Sequence, residues 1–139
     1  MTTVDEAYRA SVASPIAQIA EQLQATLGQR LTAYAVGVRD PKAIGKYARG
    51  AIEPREDTAQ RMRDLFRITR ILGEERPDIV RAWMIGSNPL LDDRAPIELL
   101  HEENTKPVSR AAGVEAQFSS AAFRAVHEAV VDWAEAQTA

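Results

Sequence analysis

Residues 29–54 read QRLTAYAVGVRDPKAIGKYARGAIEP, and the fold turns on their punctuation. Leu31, Tyr34 and Ala35 predict a short helix from about Gln29 to Val36, which Gly37 breaks. Asp40-Pro41 then supplies an N-cap followed by proline at the first helical position. Gly50 closes this next helix after about two and a half turns. Ile44 and Tyr47, three apart, face inward. Lys42, Ala43, Lys46 and Arg49 are left pointing outward, with Arg39 in the turn before them and Arg55 at the start of the following helix. Two short helices joined by a glycine turn, the second one basic, suit a major groove about 12 Å wide that admits a single helix. Lysines there can donate to guanine acceptors, while arginines at the edges neutralise phosphates. The competing interpretation is a plain helical bundle whose solvent face is basic.

The same grammar extends in both directions. Upstream, Ser14-Pro15 opens a helix in which Ile16, Ile19, Ala20, Leu23 and Leu27 form one stripe, closed by Gly28. Residues 1–13 carry Asp5 and Glu6 without an apolar run and are expected to be an N-terminal arm. Downstream of Pro54, a helix from about Arg55 to Leu72 has a core stripe of Met62, Leu65, Phe66, Thr69 and Leu72. Arg63, Arg67 and Arg70 line its flank. Gly73 to Pro77 marks the expected boundary between a DNA-binding domain (14–73) and a second module (74–118). That module reads as a helix over 78–85, a turn at 86–89 and a helix begun by Ala95-Pro96, after which the signal fades from Asn104 to Gly113. Ser119-Ser120 is expected to cap a last amphipathic helix (119–139) with Phe123, Val126, Val130, Trp133 and Ala134 on one face. No alternating strand of useful length occurs, so the fold class is all-α.

Composition narrows the function. The chain has 139 residues, enough for one domain or two very small ones. It has no cysteine, which excludes disulfides, thiolate zinc sites and cysteine nucleophiles. His101 and His127 lie far apart, Asp92-Asp93 reads as a solvated loop, and no glycine loop cradles phosphate. Neither a catalytic set nor a metal site is therefore expected, and the chain is read as a non-enzyme. With no secretory or membrane-spanning segment, a soluble cytoplasmic protein is expected. Net charge is −3, yet Arg30 to Arg70 holds ten basic residues against five acidic ones, +5, leaving −8 elsewhere. Such asymmetry suits one module that meets a polyanion and another that does something else.

The order of short helix, glycine turn, basic helix, Arg49-Gly50 and Pro54 resembles the helix-turn-helix of the lambda repressor and Xre regulators. One residue more than usual separates Gly37 from Ile44. Trp83, Asn88-Pro89, Leu91, Arg94, Pro96 and Leu99-Leu100 further resemble the toxin-binding domain of Xre/MbcA/ParS-type antitoxins. Asp93 stands where glycine is usual there, and Ala95 where Ser or Thr is. The resemblance covers about residues 30 to 118. It implies an antitoxin that represses its own operon by binding double-stranded operator DNA and covers the active site of a RES-fold, NAD-consuming toxin. The cofactor would belong to the toxin, so this chain is expected to hold none. Trp83, Leu90, Leu91 and Phe118 are the expected partner anchors, with Arg94 at the rim. The alternative is a stand-alone helix-turn-helix regulator whose C-terminal half oligomerises or senses a partner. A homodimer is expected in either case, built from the 119–137 helix and from Ile68 and Ile71, because one short helix reads only a few base pairs. The helix after Phe118 departs from the family pattern. It could widen a partner interface, mediate dimerisation or cap the core.

Overall fold

In a computed structural model describing residues 3–73 and 76–138, with the backbone alone for 119–128, the chain begins with a helix instead of an arm. Thr3 Oγ1 accepts from the Glu6 N–H at 3.1 Å, and Glu6 Oε2 accepts from the Thr3 N–H at 3.2 Å. This capping box starts α1 (Val4–Ala13), whose Ala7 and Ser11 are buried. There follow α2 (Ile16–Val36), α3 (Lys42–Ala48), α4 (Glu56–Leu72) and α5 (Pro77–Ile85). A 3-10 turn at Pro89–Leu91, α6 (Pro96–His101) and α7 (Thr105–Thr138) complete the chain. Among the described residues there is no strand, so the protein is all-α.

Gly28 divides α2. Its φ of 83° and ψ of 169° interrupt the helix, leaving two shorter arms, 16–27 and 29–36. A break of this kind strands carbonyls at the end of the first arm. Two distant side chains take them up: Thr32 Oγ1 donates to Leu23 O at 3.3 Å, and Arg81 Nη1 donates to Thr26 O at 2.9 Å. Gly37 ends the second arm in the left-handed region (φ 76°).

Arginines close three further helix ends. Arg63 Nη1 reaches Ser11 O at 2.7 Å and Ser14 O at 2.8 Å, pinning the C-terminus of α1 to α4. Ser14 thus ends α1, and its side chain caps nothing in α2, which starts after Pro15 without a side-chain cap. Arg61 Nη2 donates to Ala35 O, Leu100 O and His101 O, at 3.0, 2.9 and 3.0 Å, joining the C-termini of α2 and α6. Its Nη1 lies 3.5 Å from Glu103. Arg67 pairs with Asp64 at 3.7 Å, and Arg70 lies over the Phe66 ring at 5.5 Å. The arginine flank of α4 is therefore engaged within the fold.

One hydrophobic core runs through the molecule from Ala7 of α1 to Ala112 of α7. Val80, Met84, Ile97, Leu99 and Leu100 join Ile19, Leu23, Leu27, Met62 and Leu65 in it. The core continues across the expected boundary at 73–77. Ile68 and Ile71, expected at a dimer surface, are buried in this core. The last helix also differs from expectation. Pro107 falls in the first turn and the helix runs through Gly113, so Ser119-Ser120 sits inside a continuous α7 and does not begin a new helix. The side chains of Phe123 and Val126 lie outside the described residues. Residues 129–138 are exposed throughout, Val130 and Trp133 included, and do not cap the core.

Arg61→Ala should destabilise the protein by roughly 2–4 kcal/mol, because three helix-end carbonyls lose a charged donor together. Urea unfolding followed by circular dichroism and by tryptophan fluorescence should show this loss as one coincident transition, as a shared core requires.

Candidate functional site

The basic surface is built on α3, and its geometry begins with Asp40. Asp40 Oδ1 accepts from the Lys42 N–H at 3.0 Å, fixing the start of the helix. Ile44 and Gly45 are buried, while Tyr47 and Ala48 are half-buried. Gly45 is where α3 comes closest to α2: a Cβ there would lie 2.8 Å from Gln29 Nε2, which is itself bonded to Gln24 Oε1 at 2.9 Å. With that side of the helix against α2, Lys42, Lys46 and Arg49 (i, i+4, i+7) form one exposed stripe. Arg39 stands exposed in the turn before it, and Ala43 is half-buried at its N-terminal end. Among the described residues, the side chains of Arg39, Lys42, Lys46 and Arg49 have no ion-pair or hydrogen-bond partner. Arg55, also exposed, lies 4.0 Å from Asp57. Six of the ten basic residues between 30 and 70 are thus exposed: these five and Arg30.

The turn before α3 depends on Gly37 twice. Its left-handed backbone favours glycine, and a Cβ there would lie 2.5 Å from Arg61 Nη1. The guanidinium that binds the ends of α2 and α6 is thus laid directly over the turn.

The expected partner residues divide. Leu90 is 60% and Phe118 71% exposed, so both are free to anchor a partner. Leu91, the neighbour of Leu90, is buried and belongs to the core, because the 3-10 turn points it inward. Trp83 is half-buried and packs against the core. Arg94 has both Nη atoms on the Glu102 carboxylate, and Nη2 lies 3.5 Å from Glu98. It staples the 87–94 loop to α6. That loop is further closed by Asn88 Oδ1 on Leu90 N and by Asp93 N on Asn88 O, both 2.9 Å, while Asp92 and Asp93 are exposed and left-handed. Leu90 instead lines an open groove of about 350 Å³ with Pro107, Arg110, Ala111 and Val114. Phe118 follows Val114 by one turn of α7.

Two features escape the sequence reading. Val4, Tyr8 and Val12 are exposed at four-residue spacing along α1, and Thr3-x-x-Glu6 was the signal for that helix. His101 stacks on Tyr34, a contact 67 residues apart in sequence that no local pattern announces. Comparison of the chain with protein-family models, with curated proteins and with solved structures finds no match in any of the three.

Hydrogen bonds from Arg94 hold the Glu102 carboxyl below the ordinary carboxylate range, and they raise the Arg94 guanidinium in turn. A lowered folded-state value contributes stability above the ordinary carboxylate range and loses it as pH falls through the depressed value. Acidification should therefore loosen the 87–94 loop from α6. Amide protection factors at Asp93 and Arg94, taken relative to intrinsic exchange at each pH, should fall in acid, and Glu102→Gln should show the lower protection already at neutral pH.

Proposed function

We propose that this chain is a DNA-binding antitoxin. In this reading α2 and α3 form a repressor-like helix-turn-helix that binds the operator of its own operon. The surface around Leu90, Val114 and Phe118 covers the active site of a RES-fold toxin. The observation that carries the DNA half is the division of cations. The arginines of α4 hold carbonyls, a carboxylate or a ring, whereas Arg39, Lys42, Lys46 and Arg49 stand exposed and unpaired around one short helix. Four uncompensated charges around so short a helix repel one another, and a phosphate backbone relieves that repulsion. Lys42 and Lys46 are assigned to base edges, with the Ala43 methyl available to a thymine methyl. Arg39, Arg49 and Arg55 are assigned to phosphates.

The toxin half rests on the resemblance of residues 83–100 to the antitoxin domain, together with the exposed Leu90 and Phe118. Anchors of this kind, ringed by polar groups, carry most of the energy of stable interfaces. A stand-alone regulator is the second reading, favoured by the exposed Val130 and Trp133 near the end of α7, which suit pairing with a second copy. No catalytic group, metal or cofactor of the chain's own enters either reading.

Lys46→Ala should cost on the order of 1–3 kcal/mol on the chain's own promoter and relax sequence preference. Arg49→Ala should weaken all duplexes alike and reduce the salt slope by about one. Fluorescence anisotropy with promoter and unrelated duplexes separates the two, and a Lys42/Lys46 double alanine with unchanged promoter affinity would overturn the assignment. Leu90→Glu with Phe118→Glu, in the full chain, should abolish co-purification with the product of the adjacent reading frame while leaving DNA affinity unchanged. If co-purification survives, the toxin lies elsewhere on the surface. If the unaltered chain captures nothing and sediments as a dimer, the stand-alone regulator is the correct reading.

A further inference from the structure

His101 is held more firmly than an exposed side chain at the end of a six-residue helix requires. Its Nδ1 lies 2.8 Å from Tyr34 O, and because a carbonyl oxygen can only accept, Nδ1 carries a proton and donates. The ring stacks on Tyr34 with centroids 4.1 Å apart and planes 5° from parallel. With one nitrogen occupied and one face covered, Nε2 is the free polar atom of the ring. His101 shares an open groove of about 320 Å³ with Arg39, the other walls being Ala33, Tyr34, Gly37 and Val38. This groove lies on the turn that leads into α3.

The charged groups around the ring favour an anion there. Glu102 and Glu103 follow His101 directly, but Glu102 is engaged by Arg94 and Glu103 by Arg61. Arg61 of α4 also donates to His101 O, and Asp40 in the turn is occupied by the Lys42 N–H. Tyr34 of α2 presents its ring face. Arg39 is the cation in the groove without a partner.

We propose that this groove clamps a backbone phosphate of duplex DNA, with Arg39 supplying charge and His101 a directed hydrogen bond. The proposal rests on the DNA-binding reading and extends it: α6 would grip the backbone of the duplex that α3 enters. Since Nδ1 already donates, a neutral ring offers Nε2 only as an acceptor. Donation to a phosphate oxygen therefore requires Nε2 to take one proton from solvent, giving the imidazolium. DNA binding is then coupled to uptake of that proton and tightens as pH falls.

The test uses the full chain and a fluorescein-labelled 20-bp duplex of random sequence, titrated at about pH 6 and about pH 8. The unaltered protein should bind roughly three- to tenfold more tightly at the lower pH. His101→Asn keeps a donor for Tyr34 O, since its amide nitrogen replaces Nδ1, but loses Nε2. It should keep the melting temperature and the affinity at the higher pH and lose the pH difference. His101→Arg carries a fixed charge and should bind independently of pH, as tightly as the unaltered protein does at the lower value. It also serves if the asparagine variant fails to fold. A pH difference that survives in both variants, or is absent from the unaltered protein, overturns the clamp. If Arg49→Ala combined with Arg55→Ala also leaves binding to this duplex unchanged, the DNA-binding reading fails with it. If only the His101 series is without effect, the clamp alone fails.

Discussion

Short helices leave a large share of their carbonyls unpaired, and this chain meets that problem with arginine. Four helix ends close on a guanidinium: α1 on Arg63, the first arm of α2 on Arg81, and the second arm of α2 together with α6 on Arg61. Each contact sets a full positive charge against the negative end of a helix dipole and removes an unsatisfied acceptor at the same time. Arg61 and Arg63 both rise from α4, so that helix holds the ends of its neighbours in place. Arg61 has the most to hold. It bonds three carbonyls, pairs with Glu103 and lies over Gly37, so the turn before α3 is positioned by the same group that seats α6.

This economy explains why total charge in the 30–70 window is a poor guide to surface charge. Arginine serves two ends in this fold. Within α4 its long stem crosses a neighbouring helix and its planar head satisfies carbonyls. Around α3 the cations face solvent instead. The difference is positional. Arg61 and Arg63 sit on different sides of α4, one meeting α2 and α6 and the other α1, while Lys42, Lys46 and Arg49 lie away from the buried Ile44. The apolar stripe of α4 was visible in the sequence. The carbonyls next to that stripe were not, because they come from segments 26 to 52 residues away.

What was legible was local. Gly28, Gly37, Asp40-Pro41 and Gly50 each act within a few residues, and each stands where a break, a turn or a cap occurs. The core stripe Met62, Leu65, Phe66 and Thr69 follows from helical period alone and is buried. The sequence reading strayed where a local signal was passed over or a plausible one was superseded. Thr3-x-x-Glu6 is a capping box that the acidic, weakly apolar start of the chain disguised. Ser119-Ser120 has the chemistry of a cap, but nothing from 105 to 118 stops α7, so two serines in mid-helix are simply helical. Leu90 and Leu91 are equivalent in composition, and only the geometry of the 3-10 turn sends one to solvent and the other to the core. At the candidate site, the outward set Arg39, Lys42, Lys46 and Arg49 was readable because α3 is short enough for two inward residues to fix its orientation. His101 was not, since its partner is a backbone carbonyl on another helix.

The shared core bears on how two binding surfaces could communicate. Had the chain been two domains on a linker, a partner on the α6–α7 side would touch the α3 side only through tethering. Here the α6 end, the α2 end and the turn before α3 meet at one guanidinium and one histidine ring. Arg61 bonds Leu100 O and His101 O at the α6 end and Ala35 O at the α2 end, so a displacement of α6 would alter the contacts that hold the turn before α3. If both sides of the molecule bind partners, the shared helix ends are the contiguous path by which one could affect the other.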